Sequence, residues 1–186
     1  MEPKPRAILV VMLLNLLSTG FARMSFLKLS VKQATTSSEL PVQLDIVTAL
    51  HACDTSTDDA IAIGLVKHAR HMVLVPCCQD EVAGVLKRSR ALNLSKNLLA
   101  ELWRHPLHTR EFGSQIANVL CCLQLEANGY NVTELVGWEH SMKSELNLTS
   151  RPFIPNSSVA AKTRAAQERL QAVLGELTAR FDVVAS

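Results

Sequence analysis

Two short stretches limit what this chain can fold into. Asp45–Leu50 (DIVTAL) and His71–Val75 (HMVLV) are almost wholly apolar and β-rich. Runs of that length and composition suit strands buried on both faces of a sheet. Between them, Ile61, Leu65 and Val66 follow helical spacing, and Ser56 with Asp59 three residues later gives a capping-box-like start. Strand, helix, strand at this spacing is the unit from which parallel sheets are wound.

The rest of the chain extends that pattern. Ala7–Leu17 is apolar all round and reads as a buried helix, with Gly20 as its stop signal. Met24–Val31 alternates apolar and polar residues, as a strand does, and Thr35–Pro41 is a polar connection with room for one helical turn. Asp80–Trp103 suits one or two helices with Lys87, Arg88, Arg90 and Lys96 facing outward. Phe112, Ile116, Val119, Leu120, Leu123 and Ala127 mark one face of an amphipathic helix that stops at Gly129. Tyr130–Val136 and Ser144–Thr149 read as two strands of a hairpin. Pro152 and Pro155 then break the chain, and Val159–Phe181 is a last helix with Leu170, Val173, Leu174, Leu177 and Phe181 on one face. The expected class is α/β, with a mostly parallel sheet closed by a carboxy-terminal β-hairpin.

Composition narrows the setting. With 186 residues and 48% hydrophobic residues the chain can bury a real core. A net charge of +2 neither demands nor excludes a nucleic-acid partner. Five cysteines, four of them in the adjacent pairs Cys77-Cys78 and Cys121-Cys122, do not suggest a disulfide framework, so a reduced, cytoplasmic protein is expected. Lys4 and Arg6 ahead of Ala7–Leu17 have the shape of an export leader, but no clean cleavage site follows. Asn15 interrupts the run, which is also too short for a confident membrane span, and no membrane association is expected. Sequons at Asn93, Asn131, Asn147 and Asn156 would matter only in a eukaryotic secretory pathway.

In an open parallel sheet, ligands bind beyond the carboxyl ends of the strands. Two polar stretches fall at such ends, His51–Asp54 and Pro76–Gln79. Asp54, Ser56, Asp58 and Asp59 could equally cap a helix and complement its dipole, and His51 could be a satisfied core histidine. His51, Cys53, Cys77 and Cys78 superficially suggest a zinc-deaminase ligand set, but the catalytic Glu is absent and the paired cysteines are adjacent rather than spaced Cys-x-x-Cys. No metal site is expected. A Cys-His nucleophile pair lacks a third, orienting member.

Leu50-His51-Ala52-Cys53-Asp54-Thr55, continuing to Thr57-Asp58, followed by Val75-Pro76-Cys77-Cys78-Gln79, resembles the family called methyltransferase domain 32, which includes the methyltransferase-like 25 proteins. Arg110–Ile116 and Glu134–Lys143 (ELVGWEHSMK) are also similar to bacterial members. The likeness runs from about Gly20 to about Thr149. It implies a seven-stranded Rossmann-like fold that binds S-adenosylmethionine, with residues 1–155 a partial methyltransferase domain and 156–186 a helix packed on it or extending from it. Met24–Val31 would be the third strand of that sheet, Asp45–Leu50 the fourth, His71–Val75 the fifth, and the hairpin the sixth and seventh. Ser30 and Val31 would lie near the adenine. His51, Ala52 and Cys53 would lie near the donor's amino-acid end, with His51 or Asp54 orienting or deprotonating the acceptor.

Such domains open with a strand and a glycine-rich loop, then a second strand ending in an acid that holds the ribose. No glycine precedes Gly20 here, so the expectation is an amino-terminally incomplete, truncated domain with an exposed sheet edge prone to self-association. The expected function is methyl transfer to an N or O acceptor, RNA among the candidates through Lys87, Arg88, Arg90, Lys96 and Arg104, and silent if the domain is incomplete. The alternative is a non-catalytic interaction protein built on the same fold. The 186-residue chain is expected to bind S-adenosylmethionine weakly or not at all by isothermal titration calorimetry. Low-micromolar affinity would show that another part of the chain has replaced the glycine loop.

Overall fold

The computed structural model describes residues 27, 29, 31–52, 55–76, 84, 105–136, 145–152 and 157–181. Their elements are α1 (Val31–Thr36), β1 (Ile46–Ala52), α2 (Thr55–Val66), β2 (His71–Pro76), α3 (Pro106–Ala127), β3 (Asn131–Val136), β4 (Glu145–Ser150) and α4 (Ser157–Phe181). Among the described residues no helix is long and apolar enough to cross a membrane. The apolar run at residues 7–17 and the helices expected over 80–103 lie outside the described residues.

Four strands form one sheet in the order β1-β2-β4-β3. β1 pairs with β2 in parallel, Val47 opposite Met72 and Ala49 opposite Leu74. β4 pairs antiparallel with β2 on one side and with β3 on the other. The sheet is therefore mixed, and the expectation of a mostly parallel sheet is corrected. The reason is the position of β4. The last strand inserts between β2 and β3, so β1, β2 and β3 point one way and β4 alone points back. Residues 137–144, which would join β3 to β4, lie outside the described residues.

Strict pairing puts Val47, Ala49, Met72 and Leu74 on one face, where all four are buried. Helix α2 packs there, with Ala60, Ile61 and Ile63 almost fully enclosed, and Leu125 and Cys121 of α3 join the same core. β1 was expected to be buried on both faces. Instead Ile46 is 52% exposed and Thr48 is exposed as well. β1 stands at the end of the described sheet, and the described helices α2 and α3 share the core on its other face.

Helix ends follow local chemistry. α3 begins with Pro106 after His105, six residues before the Phe112 start that apolar spacing gives. Proline at the first helical position is a recognised start signal, since its missing N–H would have no helical partner there. α3 ends in a Schellman motif: Gly129, at φ +85°, donates its N–H to the Glu126 carbonyl, and Tyr130 donates to that of Leu125. α2 closes in the same way, Ala69 donating to Gly64 O and His68 to Leu65 O. Here a histidine, His68 at φ +48°, takes the left-handed position.

Of the strand expected over Met24–Val31, only Leu27, Leu29 and Val31 are described, and its end is corrected. Leu29 sits in an isolated bridge, and Val31 begins α1. Lys32, Gln33 and Ala34 favour helix over strand, and Ala34 is anchored in the core at 1% exposure. The last helix lies along α3. Gln167 Nε2 donates to the Ala127 carbonyl at 3.0 Å, and Arg169 pairs with Glu126 at 2.8 Å.

Gly64 is where α2 comes closest to the sheet. A Cβ there would collide with Sδ of the fully buried Met72. Gly64→Ala should gain about 1 kcal/mol of helix propensity but lose more through overpacking, about 1–3 kcal/mol. The melting temperature is expected to fall by roughly 2–4 °C per kcal/mol of net loss. Adding Met72→Ala to Gly64→Ala should cost less than the sum of the two single changes. Calorimetric melts of the three variants check this, and strict additivity would mean that the two side chains do not meet.

Candidate functional site

Because β1, β2 and β3 run the same way, their carboxyl ends lie on one edge of the sheet. β1 ends with His51 and Ala52, β2 with Val75 and Pro76, and β3 with Val136. Three sequence stretches singled out above, around 50–58, 75–79 and 134–143, therefore leave the sheet at a common edge. Leu50 lies opposite Val75 and Ala52 opposite Pro76, so the first two run side by side.

The pairing slips between Leu50 and Ala52, where two residues of β1 face one of β2. His51 is the extra residue. Bulges of this kind bend a strand and re-aim the chain, and they are over-represented beside active sites. Cys53, Asp54, Cys77, Cys78 and Ser30 lie outside the described residues, and His51, Ala52 and Val31 are placed by their backbone only. Val31 stands at the first position of α1 rather than at a strand end.

α2 starts at Thr55, three residues beyond Ala52, so its positive amino-terminal end belongs to the same edge. The helix starts two residues earlier than the capping-box spacing gives, which puts Ser56 inside its first turn. Asp58 also lies in that turn and is exposed, while Thr57 is buried.

Beneath this edge, buried polar groups link α3 to the sheet. Neither Cys121 nor Cys122 is in a disulfide. Cys122 Sγ donates to Oδ1 of Asn147 on β4 at 3.5 Å. Asn147 is fully buried opposite Leu74 of β2, and its Nδ2 has no partner. A buried amide left so costs about 1–3 kcal/mol unless a water or ligand group meets it. Its burial also shields the Asn147 sequon in the folded protein. Sequence reasoning saw Asn147 only as a sequon, because alternation along β4 gives its face, not its neighbours. Among the described residues no group of three or more His, Cys, Asp or Glu side chains could hold a metal ion.

The Cys121 thiol is pushed up to about 12, first by burial, then by the charges of Asp58 and Cys122. The group is protonated in folded and unfolded chains below about pH 9, so its stabilising contribution is fully present there. Between about pH 9 and 12 the unfolded chain releases the proton and the native protein holds it, so stability falls with rising pH. Urea unfolding at pH 8, 9 and 10 should show this fall. Cys121→Ala should flatten it, and an unchanged slope in the variant would assign the pH dependence to other groups.

Residues 14–85 match the family model of a methyltransferase domain. The matched segment contains β1, α2, β2 and the bulge at His51. No curated protein and no solved structure matches the chain.

Proposed function

We propose, from the premise that residues 14–85 are methyltransferase-domain sequence, that the chain is built for S-adenosylmethionine-dependent methyl transfer to a nitrogen or oxygen acceptor. The observation that carries this reading is the parallel pairing that brings His51-Ala52 and Pro76 to one edge, next to the start of α2. That is where open α/β sheets hold ligands.

The residues fit such a donor in two respects. The amino terminus of the 12-residue α2 favours a carboxylate, the group at the donor's amino-acid end. The bulge at His51 interrupts the ladder where the strand ends, the kind of break that is over-represented beside active sites. When bound, S-adenosylmethionine supplies an electrophilic methyl on a positively charged sulfur. The chain's own work is then mainly to align the acceptor and take its proton. His51, Ala52 and Cys53 border the donor's amino-acid end, and Ser30 and Val31 the adenine. His51, as a neutral imidazole, or Asp54, as a carboxylate, accepts the proton of the acceptor group or fixes its orientation. RNA is one acceptor compatible with the basic residues Lys87, Arg88, Arg90, Lys96 and Arg104.

Ultraviolet cross-linking with radiolabelled S-adenosylmethionine, followed by tryptic mapping, tests the reading and also captures weak complexes. Label is expected in Gln33–Lys67 and His71–Lys87, the two peptides that span the strand ends. His51→Ala and Asp54→Asn should each reduce it severalfold without changing the melting temperature. Label confined to α4, or indifferent to both substitutions, would refute the assignment.

A further inference from the structure

The start of α3 carries two histidines at positions where side chains converge. His105 is the N-cap residue, extended at φ −95° and ψ 144°, and Pro106, Leu107 and His108 follow as the first three helical residues. The N-cap and third helical side chains are the two that meet in a capping box. Here they do not cap: His105 makes no side-chain cap hydrogen bond. Its ring instead stands edge-on to that of His108, with ring centres 5.5 Å apart and planes at 89°.

The backbone holds this pair in place. Thr109, fully buried, donates its N–H and its hydroxyl to the His105 carbonyl, at 2.9 and 3.0 Å. Pro106 fixes φ between the two histidines. The imidazoles themselves face water: His105, Leu107 and His108 are all exposed. Among the described residues neither ring is hydrogen-bonded or ion-paired, so the nitrogens of both are open to a ligand.

Two such imidazoles can chelate one metal ion. With metal–nitrogen bonds of about 2.0–2.1 Å and each nitrogen about 1.1 Å from its ring centre, two rings on a tetrahedral ion have centres roughly 5.2 Å apart. On a square-planar or octahedral ion, with bonds at right angles, the separation is roughly 4.5 Å. The observed 5.5 Å is close to the tetrahedral value. Imidazole nitrogen suits zinc, copper and nickel, whereas magnesium, calcium and manganese favour oxygen. The positive end of α3 opposes a cation, which at an exposed site lowers affinity by less than about tenfold.

We propose that His105 and His108 bind one tetrahedral divalent transition-metal ion, zinc being the ion of that geometry. The other two coordination positions are left to water or to a ligand atom. A closed structural zinc site takes four protein ligands, so an ion held by two exchanges with solvent. The pair is separate from His51 and from the paired cysteines, and it does not rest on the methyl-transfer reading.

Titration of the full chain with Co2+, followed by displacement with Zn2+, tests it. Co2+ should give the visible bands of a tetrahedral nitrogen and oxygen set, at one ion per chain, and Zn2+ should displace it. His105→Gln and His108→Gln should each remove those bands and weaken Zn2+ by more than the roughly tenfold that losing an outer-sphere partner costs. Melting temperatures in metal-free buffer should not change. His108→Gln, which leaves the N-cap residue intact, keeps the test valid if His105→Gln disturbs the start of α3. Uptake that is unchanged in both variants would overturn the proposal: with the ultraviolet sulfur-to-cobalt band of thiolates it would assign the ion to the cysteines, and without that band to an adventitious site. No uptake of either ion would also overturn it.

Discussion

The parallel pairing of β1 with β2 is the interaction on which the rest of this structure depends. It sets Val47 and Ala49 level with Met72 and Leu74, and that shared face is where α2 lands. Its direction also decides where the motif stretches leave the sheet, because parallel neighbours finish together. Were the two strands antiparallel, His51 and Pro76 would lie at opposite ends of the sheet. In the parallel register they are neighbours, and the slip at His51 falls where the chain leaves the sheet. The burial of Gly64 against Met72 follows from the same register, since the helix must come close to return the chain to the start of β2.

Much of this was legible in the sequence. The two apolar runs fixed β1 and β2 to within two residues, because β-branched runs bounded by polar turns leave little choice of state. The helix from Phe112 to its glycine stop was equally clear, but its buried face was not: Val119, expected on the apolar face, is 50% exposed, whereas Asn118, Cys121 and Leu125 are buried. Its true start was signalled by Pro106, a cue that apolar spacing does not carry. The order of the sheet was not legible. That β4 inserts between β2 and β3 depends on cross-strand contacts such as Asn147 opposite Leu74, which no local pattern encodes. The exposure of Ile46 was hidden for a related reason. A sequence shows that a strand can be buried on both faces, but not whether helices cover both. For the candidate site, the strand ends were foreseen and their adjacency follows from the register, whereas the His51 bulge and the Asn147–Cys122 contact were not foreseen.

The two edges of the sheet differ in chemistry. One carries strand ends, a helix amino terminus and the stretches within residues 14–85 that match a methyltransferase domain, with the buried Cys121, the half-buried Cys122 and the buried Asn147 amide beneath. The other carries the connection into β1, the α2–β2 turn and the end of β4, tied together by backbone hydrogen bonds. This division follows from chain direction alone. In a parallel arrangement one edge receives the strand ends and the other the turns that lead into strands.

The account's central claim is that β1 and β2 pair in parallel with Leu50 beside Val75 and Ala52 beside Pro76. Nuclear Overhauser contacts in an isotope-labelled sample measure this directly. The account predicts interstrand contacts that advance together along both strands, from Ile46–His71 to Ala52–Pro76, with one missing step at His51. Contacts that run in opposite directions, or that pair residue 51 in regular register with β2, would contradict it.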